Sequence, residues 1–337
     1  MKAAILHNPG GFDRIEIADR PDPGFPGRGE IRVALHATSL NFHDLLVAKG
    51  AIPTADGRLL MADGAGIVDA VGLGVTEFEA GDTVVSGFFP QWLDGAPRKT
   101  VGNFRLTPGD GMDGFAAEYA VRPAAAFTHA PKGWTPAEAA TITTAGLTAW
   151  RALVGDGSLK AGETIVVLGT GGVSMAALQI AKMMGARVIV TSSSDEKLER
   201  ARALGADAVI NYRQHPEWGA KVRDLTGGEG ADHIIEVGGP GTLAQSIEAV
   251  RVGGHISLIG VLTGLEGTIP TALLMAKQAR LQGLIVGSRR QQLDYVAALD
   301  QSGIRPVLDR SFPLQDLAAA FRYQESGAHF GKIVVEW

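Results

Sequence analysis

The chain contains no cysteine. Disulfides are thereby excluded, and so is every metal site built on thiolates. Histidine, the other common zinc ligand, occurs eight times but scattered, with no pair at i, i+4 spacing. Long apolar runs are missing too: none approaches the roughly 18 residues that a membrane-spanning helix needs. Met1–Gly10 reads as a first strand and not as a secretory leader, so the cytoplasm is the expected location. Positive charge is not in excess. The formal net charge is −5 and no basic stripe occurs, which argues against a nucleic-acid partner. Neither repeats nor low-complexity linkers interrupt the 337 residues. With 45% hydrophobic and 20% charged residues, this is the composition of a soluble globular chain of about two domains.

Glycine, by contrast, is abundant and sits at the ends of apolar runs. In Thr164–Ser174 the run Ile165–Leu168 ends in Gly169-Thr170-Gly171-Gly172, and a helical pattern follows through Met184. A strand, a turn free of side chains and a helix N-terminus together suit a dinucleotide pyrophosphate, because exposed N–H groups and the helix dipole stabilise the anion. A second β-branched run, Ala186–Thr191, and a helix opening at Ser192-Ser193-Ser194-Asp195 complete a βαβ unit of about 30 residues. Further short runs follow at Asp207–Ile210, His233–Val237, Gly254–Ile259 and Leu281–Val286, with helical stretches between them. The alternation predicts an α/β fold, a doubly wound parallel sheet covered on both faces.

The first 125 residues differ in texture. Short strands at Glu30–Ala37, Gly64–Val71 and Asp82–Ser86 are separated by turns such as Pro21-Asp22-Pro23-Gly24 and Ala80-Gly81-Asp82, which reads as a mostly β unit. Gln91–Pro108 lacks periodicity and reads as a surface loop. After Arg289 a helix, the segment Arg310-Ser311-Phe312-Pro313-Leu314, an amphipathic helix from Leu317 and a last strand Lys332–Trp337 are expected to return to the first domain.

These pieces together resemble the medium-chain dehydrogenase/reductase superfamily over essentially the whole chain. The resemblance rests on Gly29-Glu30-Ile31, Ser39-Leu40-Asn41-Phe42-His43-Asp44, Asp63-Gly64-Ala65-Gly66-Ile67-Val68, Gly81-Asp82-Thr83-Val84, Gly114–Tyr119, Thr144–Trp150 and the glycine turn, all in order. It is strongest toward the zinc-free branch of quinone oxidoreductases and alcohol dehydrogenase-like proteins. It implies a GroES-like β domain at 1–125 and 289–337, a Rossmann domain at 126–288, and a homodimer. In the zinc-dependent members the catalytic ligand positions fall on Asn41, Ala62 and Thr144, with Asp63 where a carboxylate usually sits. None of the first three suits Zn²⁺, and Gln91–Pro108 holds no ligand set for a structural zinc, so no metal is expected. Without that Lewis acid, hydride transfer relies on positioning and hydrogen bonding, which suits acceptors whose charge is already delocalised.

The cofactor reading is NADP(H). The second strand of the βαβ unit ends in Ser192 and Ser193, where NAD-specific proteins place an acid for the ribose 2′-OH. Small hydroxyls leave room for a 2′-phosphate and Lys197 is near enough to supply charge, although the serines also suit a helix cap. By resemblance Tyr212, within Asn211-Tyr212-Arg213, joins that phosphate site. The resemblance further places Gly169, Thr170, Gly171, Gly172 and Val173 along the pyrophosphate and nicotinamide, and Thr144 and Thr148 on the nicotinamide face. Gly260 and Val261 fall at the carboxamide, and Lys332 near the cofactor or in solvent. Ser174 replaces the third glycine, and a slightly wider helix separation is expected there.

The catalytic candidates are Asn41, His43 and Asp44. His43 lies where zinc enzymes keep a proton-relay hydroxyl and can donate a proton near neutral pH, or else it merely opens a helix capped by Asn41. Asn41 is a candidate for contact with the substrate carbonyl or the nicotinamide ribose, and Asp44 suits the fixing of backbone amides. The expected substrate is a small hydrophobic quinone or α,β-unsaturated carbonyl. A metal-free alcohol dehydrogenase and an NADPH-binding protein with little turnover are the alternatives.

Overall fold

The computed structural model describes every residue except Thr100, Gly102 and Asn103, which lie inside the loop expected at Gln91–Pro108. The chain forms two compact units, Met1–Leu147 with Val286–Trp337, and Thr148–Ile285.

In the first unit β1 (Lys2–Leu6) and β2 (Ile15–Asp19) precede the long β3 (Glu30–Ser39), whose residues alternate between half-buried and buried. That period of two puts Ile31, Val33 and Leu35 on one face, where they meet Val68, Val84, Phe115 and Phe127. The helix α1 (Phe42–Ala48) follows, then β4 (Arg58–Leu59), β5 (Ala65–Val71), β6 (Thr83–Ser86), β7 (Tyr119–Pro123), β8 (Phe127–His129) and α2 (Pro136–Ala140). The chain then enters the second unit through α3 (Leu147–Trp150), flanked by π-helical turns at Ile142–Gly146 and Arg151–Gly155.

The second unit continues with β9 (Thr164–Leu168), α4 (Gly172–Met183), β10 (Arg187–Ser192), α5 (Asp195–Ala203), β11 (Ala208–Asn211), α6 (Trp218–Leu225), β12 (Ala231–Glu236), α7 (Pro240–Ala249), β13 (Val250–Leu258), α8 (Thr271–Ala276) and β14 (Arg280–Gly283). All its strands pair in parallel, in the order β11-β10-β9-β12-β13-β14. The order reverses between β9 and β12, which is where open α/β sheets bind ligands. Val166, Ile189, Ile234 and Ile256 fill its core.

Returning to the first unit, the chain adds α9 (Arg289–Ser302), β15 (Leu308–Pro313), α10 (Leu317–Glu325) and β16 (Lys332–Glu336). There β16 pairs antiparallel with β3 and closes a seven-stranded sheet, β15-β16-β3-β5-β6-β8 with β7 also on β3. A doubly wound parallel sheet in one unit and a mostly β fold in the other are the architecture expected. The boundary expected at residue 125 is corrected, because β8 pairs with β6 and α2 packs on β3, β5 and β6, so the chain stays in the first unit through Leu147.

Candidate cofactor and catalytic site

At the carboxyl end of β9, Gly169 adopts φ +71°, and a side chain there would meet no atom within 4 Å. The backbone needs glycine for its left-handed conformation, and open space lies beside it. Gly171 is the N-cap of α4 and makes no side-chain cap bond, which leaves the helix's first N–H groups to an anion. Thr170 is buried beside them. Ser174 is buried as well, and its hydroxyl donates to the Leu168 carbonyl at 2.7 Å. The serine thus ties helix to strand where a third glycine would only let them approach.

Across the switch point, Glu236 ends β12 with no exposed surface. Its carboxylate accepts from the Gly238 N–H (2.7 Å), the Gly239 N–H (3.0 Å), the Thr242 hydroxyl (2.6 Å) and the Ser246 hydroxyl. The turn so formed packs against the backbone after β13, where a Cβ on Gly239 would lie 3.0 Å from the Val261 Cα and 3.1 Å from the Gly260 carbonyl. Gly260 and Val261 are therefore held at the sheet's carboxyl edge by a residue that the sequence reading passed over. Its signal was present: an acid in the apolar run His233–Val237, directly before two glycines.

At the outer edge, Ser192 pairs in register with Asn211 on β11, which brings the serines beside the Asn211–Arg213 triplet. Ser194 caps α5 by accepting from the Lys197 N–H at 3.3 Å, so the capping reading holds for that serine. The first acid, Asp195, accepts from the Asn211 amide at 2.7 Å and the Gln214 amide at 3.1 Å. Both its oxygens are engaged within the unit, and Tyr212 stays 41% exposed at the same edge. Thr148 is buried on α3, and Val173 lies in the first turn of α4.

The first unit carries a buried polar cradle. Asp63 accepts from the Ser39 hydroxyl (2.5 Å), the Asn41 amide (2.8 Å) and the Thr144 hydroxyl (2.6 Å). Asp44 accepts from the Asn41 backbone N–H (3.0 Å), the Asn41 amide (3.0 Å) and the Ala62 N–H (2.8 Å). It therefore fixes backbone amides, as expected. The Lys332 ammonium donates to the Leu40 carbonyl and to Asn41 Oδ1, both at 2.6 Å, and stands 3.8 Å from Asp63 Oδ2. Burial pushes the Asp63 carboxyl up, against the pull of Lys332, while Asp44 adds to the rise. Burial pulls the Lys332 ammonium down, with Asp63 and Asp44 opposing. The solvent-exposed alternative for Lys332 is corrected: the side chain is buried and its ammonium faces Asn41 and Asp63. Both polar atoms of the Asn41 side chain are also engaged inside the cradle. Thr144 alone is partly exposed, which leaves its oxygen as the cradle's outlet.

His43, on α1, is half-enclosed by Phe88, at 5.4 Å between ring centroids, and by Phe104, at 6.4 Å. Nε2 lies 3.3 Å from Asp110 Oδ2, and Nδ1 is buried with no hydrogen-bond partner among the described residues. Burial works against a charged ring, but the bond to Asp110 and the charges of Asp44, Asp110 and Asp63 outweigh it, so the pKa lies above 6.5. Asp110 lies two residues beyond the aperiodic loop Gln91–Pro108, where no pattern marks it. Trp92 packs within the turn, donating to the Gly95 carbonyl at 3.0 Å, and Tyr295 is buried against Gly146. Among the described residues no cluster of three or more His, Asp or Glu side chains suits a metal ion, and no helix is long and apolar enough to cross a membrane.

Residues 27–132 match the family model of the alcohol dehydrogenase GroES-like domain, and residues 172–301 that of the zinc-binding dehydrogenases. A zinc-type alcohol dehydrogenase-like protein of Schizosaccharomyces pombe is 43% identical over 335 residues, 97% of this chain and 96% of that one. Among solved structures, an NAD-dependent alcohol dehydrogenase is 38% identical with a TM-score of 0.90, both chains covered in full. A mycobacterial quinone oxidoreductase, also fully covered, is 26% identical with a TM-score of 0.82, and a mycobacterial protein complexed with NADPH shows the same figures. With both halves of the fold matched in order and relatives alike along their full length, the chain belongs to the medium-chain dehydrogenase/reductase superfamily and is an alcohol dehydrogenase-like oxidoreductase.

Proposed function

We propose that the chain is a zinc-free, NADPH-dependent reductase of quinones or α,β-unsaturated carbonyls. The carrying observation is the donor set of the cradle. Its carboxylates and amide already surround an ammonium, and neither thiolate nor imidazole stands among them, whereas Zn²⁺ prefers both. An acceptor whose charge delocalises on reduction has less need of a Lewis acid worth several kcal/mol.

The glycine turn fits the cofactor, because Gly169 leaves open space and α4 presents uncapped N–H groups. Gly169, Thr170, Gly171 and Gly172 would hold the pyrophosphate. Ser192, Ser193, Lys197 and Tyr212 would hold the 2′-phosphate, a role favoured by the engagement of Asp195 elsewhere. Val173, Thr144, Thr148, Gly260 and Val261 would orient the nicotinamide. When bound, NADP(H) supplies the hydride. His43 holds a proton above its ordinary range and donates it to the oxygen of the reduced acceptor, while Asp110 keeps the ring charged until then. Asn41 and Asp44 shape the floor behind Thr144.

Stopped-flow mixing with NADPH, NADH and a panel of quinones, enones and aldehydes tests the reading. Rapid oxidation of NADPH by quinones or enones, with a KM for NADH at least about tenfold higher, is expected. Turnover with aldehydes alone would overturn it in favour of an alcohol dehydrogenase, the activity named in similar proteins. Tight NADPH binding without turnover would leave a binding protein.

The enzyme is read as a cytoplasmic homodimer. The strand β14 ends its sheet with exposed and half-buried residues, and Leu262, Leu265 and Met275 of the same unit are exposed, which supports pairing with a second copy. Sedimentation at twice 35.2 kDa is expected.

A further inference from the structure

Oxygen atoms from six residues converge in the cradle of the first unit: Asp63, Asp44, Asn41, Leu40, Ser39 and Thr144. Ser39, Asp63 and Asp44 are at most 2% exposed, and Asn41 is 7% exposed. Two carboxylates and an amide oxygen shielded from water make a cation site by their chemistry, since hard oxygen donors favour a hard cation. We propose that the Lys332 ammonium is the resident cation of this cradle, balancing Asp63 and holding the Asn41 amide between the two carboxylates in place of a metal ion.

The two acids differ in what sustains them. Asp44 has backbone N–H groups of Asn41 and Ala62 on its oxygens. Among the described residues, Asp63 accepts side-chain bonds alone, from Ser39, Asn41 and Thr144, so its charge depends on the ammonium 3.8 Å away. Lys332 also reaches across the β16–β3 pairing to the end of β3, donating to the Leu40 carbonyl just beyond it. The ammonium therefore sets where Asn41 lies, and through Asp63 where the Thr144 hydroxyl points. Removing one partner of such a pair strands a buried charge, whereas removing both charges together is often nearly neutral.

The inference rests on the zinc-free reading above. The test uses the full-length chain, Lys332→Met, and Lys332→Met combined with Asp63→Asn, and reads metal content and melting temperature instead of turnover. The wild-type chain is expected to hold less than about 0.1 equivalent of zinc by mass spectrometry, with no change in Tm after dialysis against a chelator. Lys332→Met is expected to lower Tm by roughly 5–10 °C, and the added Asp63→Asn to recover more than about half of that loss. About one bound zinc per wild-type chain, lost with a fall in Tm on chelation, would overturn both this inference and the zinc-free reading. A metal-free wild type in which Lys332→Met alone is as stable as the double variant, or more so, would overturn this inference and leave the reductase reading standing. If Lys332→Met does not fold, folding of the double variant supports the charge pairing. If neither folds, the inference is overturned.

Discussion

Ser174 bonds to the Leu168 carbonyl from the first turn of α4, so the helix is joined to β9 at the point where the uncapped N–H groups begin. Restoring a third glycine with Ser174→Gly removes that bond and places a flexible residue inside a helix. The expected result is a loss of about 1–2 kcal/mol in denaturant unfolding, with NADPH affinity by fluorescence titration within about twofold of wild type. His43 makes a different kind of claim. Its pKa is raised, so the donating form is present below the folded pKa and is lost as pH rises through it. kcat/KM for an enone should fall on that limb, and His43→Asn should flatten the limb and lower the plateau about 100-fold. Turnover unchanged at every pH would remove the proton-donor role. At this scale the sequence was partly legible. Asn41, His43 and Asp44 form one run, and their nearness to one another needs no folding to be seen. The pairing of Asp63 with Lys332 does, because it exists only once β16 docks on β3, and a lysine near the chain's end reads equally well as solvated.

Among the elements, the turn after β12 shows how one buried acid can shape a segment. Glu236 collects two backbone N–H groups and two hydroxyls, and the start of α7 is organised around it. Glu236→Ala leaves those four donors without their acceptor in a sealed place, and a loss of roughly 3–5 kcal/mol in urea unfolding is expected. Glu236→Gln keeps the shape and one oxygen acceptor, and it should fall between the two. A Glu236→Ala protein as stable as wild type would show that the turn holds without the acid. The strands of the second unit were legible to within a few residues because glycines bound each apolar run and helices of regular period separate them. The middle of the chain was not. The short β7 and β8 and the five-residue α2 carry too few residues for a period to emerge, so the boundary expected at 125 falls short of β8 and α2, and the unit runs on to Leu147.

For the whole molecule, acid is the condition to test. His233 and His255 lie in register on β12 and β13, with ring centroids 5.9 Å apart, and both nitrogens of His255 are buried with no partner among the described residues. Burial, helped by Arg280 on β14 and by His233, pulls His255 down to about 4, while Glu163 faces His233 at 3.1 Å. The unfolded chain takes up a proton first as pH falls below 6.5, so the stability His255 contributes is whole above that value and drains away toward pH 4. Tm should therefore drop steeply between pH 6.5 and 4, and His255→Leu should make that drop shallower; an equal slope in both proteins would exclude His255 as the cause. The same logic of sealed polar groups has a last consequence at Lys332. Quinones and enones are electrophiles that add to free thiols and amines. This chain offers them no thiol, and the lysine of its cradle is buried with its ammonium hydrogen-bonded. For the acceptors proposed above, the cradle presents neither a thiol nor an unbonded amine to be alkylated.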